Sequence, residues 1–222
     1  VSGRILAVGD LHGRSGMLDA LLEAVQPGPD DQLVFLGDYV DAGPDSSGVI
    51  DRLIALVAER GAIAILGNHD DMMRQAIRDP AHRRAWMDFG GSSTLASYPG
   101  ASFESIPEPH VRFLERTCRL YFETPTHIFV HGGVEPDLPM NEQPRETLLW
   151  TKVQSAEAHA SGRVVVCGHT RQRSGRPLDL GHTICIDTNA RDGQWLTCLE
   201  VPSLLIWQVN ASGRCRRGPL RG

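Results

Sequence analysis

Residues 32–43 read QLVFLGDYVDAG, an apolar run that breaks at Gly37 into two aspartates, Asp38 and Asp41. Four or five apolar residues with β-branched and aromatic members have the length of a buried strand, so the carboxylates stand at a strand end. The same junction recurs on either side, as RILAVGD at 4–10 and AIAILGNHD at 62–70. Helical patterns fill the gaps. SGMLDALLEAV (15–25) sets Leu18, Leu21, Leu22 and Val25 on one face, with Ser15 as a candidate N-cap. DSSGVIDRLIALVAERG (45–61) closes on Gly61, a candidate C-cap. Strand, helix, strand, helix, strand requires parallel strands with helices packed on the sheet.

Residues 80–125 interrupt this rhythm with Pro80, FGGSSTLASYPG and SIPEPHVRFLERTCRLYFETP, which read as short helices and loops forming an insertion able to shape a pocket. Five further runs read as strands: THIFVHGG (126–133), RVVVCGHT (163–170), HTICIDT (182–188), WLTCLEV (195–201) and LLIWQV (204–209). The last three are spaced as antiparallel neighbours. A second sheet facing the first gives an α/β fold, a four-layer α/β/β/α sandwich of two mixed sheets flanked by helices. The expectation is one domain over residues 1–212, with a basic C-terminal tail at 213–222.

A chain of 222 residues that is 41% hydrophobic can bury a sizeable core. Its formal charge of -5 supplies no basic patch, which argues against duplex nucleic acid and membrane surfaces as partners. Five cysteines (Cys118, Cys167, Cys185, Cys198 and Cys215) form no C-x-x-C pair and leave an odd number, as a reducing compartment favours. They are expected to be buried apolar fillers. No run approaches the ~20 apolar residues of a membrane span, so a soluble cytoplasmic protein is expected. Nothing in the sequence indicates an oligomeric state.

Five strand ends carry ligand-type residues: Asp10 and His12 in GDLHG, Asp38 and Asp41 in GDYVDAG, Asn68 and His69 in GNHD, His131 in VHGG, and His169 in CGHT. Ligands collect outside the carboxyl ends of strands in open α/β sheets, so ends far apart in sequence can converge. Carboxylate, imidazole and amide oxygen without thiolate suit manganese first, with iron, zinc or cobalt as alternatives. One carboxylate such as Asp38 can bridge two cations about 3.5–4 Å apart. Two dications against Asp10, Asp38 and a hydroxide leave one positive charge, so an acidic protein can still receive an anion. His82, His110, His127, His159 and His182 match no such pattern and are expected at the surface or in the core.

In this order, the set GDLHG, GDYVDAG, GNHD, VHGG and CGHT resembles the calcineurin-like metallophosphoesterases, above all the serine/threonine phosphoprotein phosphatase branch with its bacterial and diadenosine-tetraphosphatase relatives. FGGSSTLASY, IPEPHVRFLERT, EPDLPMNEQPRETLLW and IDTNARDGQWLTCLEV resemble the linking segments of that branch. The resemblance implies one cation on Asp10, His12 and Asp38, and a second on Asp38, Asn68, His131 and His169. It further implies in-line attack on phosphorus by a hydroxide between the cations, with His69, oriented by Asp41, protonating the leaving oxygen. The chain departs from the pattern at Ala42, where relatives carry a phosphate-gripping arginine, and at Lys152, where they often carry another. Arg14 and Lys152 are the expected substitutes, with Arg74, Arg171 and Arg173 also close to ligand motifs.

The leading expectation is therefore a phosphomonoesterase of the protein-phosphatase type, acting on a phosphorylated protein, peptide or small molecule. A dinucleoside polyphosphate hydrolase or phosphodiesterase is the rival, because a diester or internal pyrophosphate carries less charge per phosphorus and needs fewer cationic partners. A non-catalytic scaffold of the same fold stands third, since such reuse would be expected to lose ligands.

Overall fold

The structure, a computed structural model, describes residues 3–221. Its first half alternates as expected: β1 (Ile5–Val8), α1 (Ser15–Val25), β2 (Gln32–Phe35), α2 (Ser46–Arg60), β3 (Ile63–Ala64) and α3 (Asn68–Arg78). The three strands pair in parallel, Ala7 opposite Val34 and Phe35 opposite Ala64. Gly61 ends α2 at φ 64°, as the sequence indicates, and Asp45 caps its start by accepting the Gly48 amide at 3.0 Å. The start of α1 differs. Arg14 precedes the helix and Ser15 is its first residue, its hydroxyl donating to Asp45 instead of capping.

The insertion holds α4 (Arg83–Trp86), α5 (Ser92–Ala96) and α6 (Glu108–Arg112), joined by tight and wide turns. Its last residues are not loop: β4 (Tyr121–Glu123) forms the edge of the second sheet, beside β5 (His127–Val130). After α7 (Arg145–Trp150) come β6 (Val164–Cys167), β7 (Leu178–Asp179) and β8 (Thr183–Cys185), which complete the order β4-β5-β6-β8-β7. β9 (Trp195–Val201), β10 (Leu205–Asn210) and β11 (Cys215–Pro219) return to the first sheet, ordered β11-β10-β9-β1-β2-β3.

Two expectations are corrected here. HTICIDT is not an antiparallel neighbour of WLTCLEV: β8 runs parallel to β6, and residues 186–194, too long for a tight hairpin, carry the chain between sheets. Nor is the region after 212 a tail. Cys215–Pro219 pairs with β10, and the Arg216 and Arg217 guanidinium groups lie 3.9 and 5.0 Å from the Trp195 and Trp207 rings. Aromatic rings on neighbouring strands supply the apolar contact that this segment itself lacks. Cys215 is exposed on that strand and Cys118 is half-buried, so only Cys167, Cys185 and Cys198 are buried fillers.

Three apolar layers hold the sandwich together. Leu6, Val8 and Phe35 pack with Leu18, Leu21, Ile50 and Leu53 of α1 and α2. Ala7, Val34 and Leu36 meet Phe129, Val166 and Ile184 between the sheets. Val130, Val165 and Cys167 pack outward against Leu148 of α7 and Val153. Alternate residues of each strand thus face opposite layers, which leaves the strand ends free to converge. Among the described residues, no helix is long and apolar enough to cross a membrane.

Candidate active site

The loops that leave β1, β2, β3, β5 and β6 bring the sequence-predicted ligands to one place. Asp38 is the hub. Its Oδ2 lies 3.5 Å from His12 Nε2, its Oδ1 lies 3.3 Å from His131 Nε2, and Oδ1 accepts the His69 amide at 3.0 Å. His12, Asp38 and His69 present ligand-type atoms within 4.8 Å of one another, as do Asp38, His131 and His169. Asp10 is buried beside them and accepts the His169 amide at 3.1 Å. Such convergence needs unusual backbone: His12, Asp38, Asp41 and His169 all have positive φ, 42°, 51°, 72° and 61°. Gly67 permits one close crossing, since a Cβ there would lie 2.1 Å from the Asp38 amide nitrogen.

Tautomers follow from the outer nitrogens. His12 Nδ1–H donates to Val40 O at 2.9 Å, His131 Nδ1–H to Leu36 O at 2.8 Å, and His169 Nε2–H to Trp150 O at 3.0 Å. Each ring therefore turns a lone pair inward. His131 Nε2 and His169 Nδ1 both stand 2.9 Å from Asn68 Oδ1, so acceptor faces acceptor around the site. Burial keeps these imidazoles neutral, pushing His12 down to about 3, His169 to about 4 and His131 below its ordinary value. Burial alone would raise Asp38, but His131, His69, His12 and His169, which carry protons at the low pH where it would titrate, hold it well below the carboxylate range. Burial, with Asp187 and Asp38 beside it, pushes Asp10 well up. Converging neutral lone pairs and carboxylates, without hydrogens between them, fit divalent cations.

His69 stands apart from this set in its chemistry. Its Nδ1–H donates to Asp41 Oδ2 at 2.6 Å, and Asp41, fully buried, also accepts from Trp86 Nε1 at 3.1 Å and Thr94 Oγ1 at 2.7 Å. Burial opposes charging of His69, yet Asp38 and Asp41 raise it above the ordinary imidazole value. Arg191 Nη1 lies 3.2 Å from His69 Nε2, and because a guanidinium only donates, Nε2 accepts in this arrangement.

A cavity of about 510 Å³ opens over these groups. Lys152, Arg171, Arg173 and Arg191 line it, with Phe89 and Trp150 at its wall. Those two rings are exposed at 49% and 39% and meet edge-on at 6.5 Å. Of the two expected phosphate residues, Lys152 lines the cavity and Arg14 does not: its Nη2 donates to the Arg191 carbonyl at 2.8 Å. Arg74 is bound to Asp71. Sequence reasoning missed Trp86, Thr94, Arg191 and Asp187. Asp187 lines the cavity, is pushed up to about 6 by burial, and has one buried oxygen without a partner. Its signal was visible, since ICID repeats the apolar-run-then-carboxylate pattern; the other three act from the insertion or a turn, where no spacing rule applies.

A family model described as Calcineurin-like phosphoesterase matches residues 3–188. The chain belongs to that family. It is accordingly a metal-dependent phosphoesterase, a hydrolase. The bis(5'-nucleosyl)-tetraphosphatase PrpE (asymmetrical) of Anoxybacillus flavithermus is 26% identical over 197 residues, 78% of this phosphoesterase and 76% of that protein. Serine/threonine-protein phosphatase 1 of Salmonella typhimurium is 30% identical over 217 residues, 89% of this chain and 91% of its own. A crystal structure described provisionally as a diadenosine tetraphosphatase shares the fold, with a TM-score of 0.68 at 24% identity over 99% of this phosphoesterase and 94% of that chain.

Proposed function

We propose that this phosphoesterase hydrolyses nucleotide polyphosphates of the dinucleoside tetraphosphate type. The observation that carries the reading is the mouth of the cavity, where two exposed aromatic rings, Phe89 and Trp150, stand beside Lys152, Arg171, Arg173 and Arg191. Flat rings offer a base a stacking surface, and a row of cations suits several linked phosphates. Asp10, His12 and Asp38 would hold one divalent cation, and Asp38, Asn68, His131 and His169 a second, manganese being the first choice. Bound there, the cations would activate water and neutralise charge on the phosphoryl oxygens.

The protein's own groups divide the remaining work. His69 gives a proton to the leaving oxygen, and Asp41 holds its Nδ1–H so that Nε2 faces the substrate. In that role Nε2 must carry the proton, so the guanidinium now donating to it has to turn away when substrate binds. Phe89, whose ring lies 6.2 Å from that of His69, brings the stacking surface next to this acid. The free thiols favour the cytoplasm as its place of action.

A second reading, phosphomonoester hydrolysis on phosphorylated protein, is favoured by the 30% identity to the Salmonella protein phosphatase. Side-by-side turnover of diadenosine tetraphosphate and a phosphoserine peptide by manganese-loaded protein separates the two. Turnover of the dinucleotide at a higher kcat/KM is expected; release of phosphate from the peptide alone would reject the first reading.

A further inference from the structure

We propose that Arg191 grips the substrate phosphate in this chain, filling from a different loop the role left open at Ala42. The inference rests on the phosphoesterase reading above and adds a residue to it. Arg191 belongs to a short turn, Ala190–Asp192, that follows β8, and nothing in its local sequence marks it.

Its surroundings do. The side chain is half-buried at the cavity wall, with Nη1 3.2 Å from His69 Nε2 and Nη2 3.3 Å from the Phe89 carbonyl. Among the described residues, no carboxylate lies within 4.0 Å of this guanidinium, whereas its neighbour Arg171 reaches Asp192 at 3.9 Å. A guanidinium has five N–H donors in a planar fork, and two contacts with neutral acceptors leave most of them and the whole charge unanswered. An anion beside His69 would answer both, and the anion that belongs there is the phosphoryl group whose leaving oxygen His69 serves.

Position 42 lies close to the same guanidinium. Gly90 lies between them: a Cβ on it would sit 3.5 Å from the Ala42 amide nitrogen and 3.7 Å from Arg191 Nη2. Ala42 is exposed and ends in a methyl group, so the volume beside it is available to a cation from elsewhere. The base of Arg191 is fixed while its head is not. Arg14 holds the Arg191 carbonyl at 2.8 Å, and Asp187 Oδ1 accepts the amide of the preceding Asn189 at 3.0 Å. Swinging from His69 Nε2 to phosphate therefore needs only side-chain rotation. Arg14, expected from the sequence to touch phosphate, becomes the residue that positions the one that does.

The test uses full-length, manganese-loaded protein and three variants: Arg191→Ala, Arg191→Lys, and Arg191→Ala combined with Ala42→Arg. Binding of inorganic phosphate by calorimetry needs no turnover and decides the proposal; p-nitrophenyl phosphate turnover by the unmodified protein decides the phosphoesterase reading separately. Arg191→Ala is expected to weaken phosphate tenfold to a hundredfold and to raise KM, with metal content and melting temperature unchanged. Lysine should recover part of the loss, and the arginine at position 42 most of it. Phosphate affinity within twofold of the unmodified protein in Arg191→Ala would overturn the proposal. So would a fall in kcat with KM and phosphate affinity intact, which would assign Arg191 to His69 alone.

Discussion

Replacing Thr94 by valine keeps the shape of a fully buried side chain and deletes one hydroxyl, so it isolates the scaffold around Asp41 from any cavity effect. That hydroxyl donates to Asp41 Oδ1 at 2.7 Å and accepts the Asp41 amide at 2.8 Å. A hydrogen bond to a buried carboxylate contributes about 1.5–3 kcal/mol, and the amide, left with Ser46 Oγ at 3.2 Å, adds about 0.5–1 kcal/mol. The expected loss is about 2–4 kcal/mol. For a chain of this size each kcal/mol lowers the melting temperature by about 2–4 °C, so a fall of about 4–16 °C follows. Calorimetric melting of metal-loaded and metal-stripped protein should show the same fall in both, because Thr94 bonds to Asp41 and to none of the residues proposed to hold the cations. kcat should drop about tenfold, since Asp41 then holds His69 less firmly. A melting temperature within about 1 °C of the unmodified protein would refute the reasoning.

Asp38→Asn is expected to abolish turnover and lower bound manganese measured by mass spectrometry, whereas His69→Asn should abolish turnover with manganese retained; metal loss in the second variant would remove His69 from the acid role. Ala42→Gly relieves a left-handed alanine at φ 67° and should raise stability in urea by about 0.5–1 kcal/mol. Asp31, paired with Arg4 at 2.6 Å, is held down to about 2 by that bond, so it stabilises the fold above the unfolded carboxylate value near 4. Asp31→Asn should cost about 1–2 kcal/mol at pH 7, after allowance for the part-exposed arginine, and the difference from the unmodified protein should shrink as pH falls from about 4 towards 2.

Where the chain's own pattern decides the geometry, the sequence was enough. Apolar runs ending in Gly-Asp located β1 and β2, and the ligand-type residues at their ends lie close together, as the topology requires. The pattern failed where partners come from elsewhere. β11 carries two arginines and looks like a tail because its apolar contacts are Trp195 and Trp207 on other strands. Arg14 sits beside a ligand motif in sequence but faces the Arg191 carbonyl, while Arg191, far from every motif, reaches His69. Trp86 and Thr94 reach Asp41 from an insertion whose path no periodicity specifies.

The left-handed backbone at His12, Asp38, Asp41 and His169 also bears on how this protein would respond to selection. Glycine would relax the backbone at these positions, yet at Asp41 it would also remove the acceptor of the His69, Trp86 and Thr94 bonds, which outweighs the gain, so a library screened only for heat resistance should keep that aspartate. The same screen should accept the change at Ala42, a strained position whose methyl group takes part in none of these bonds.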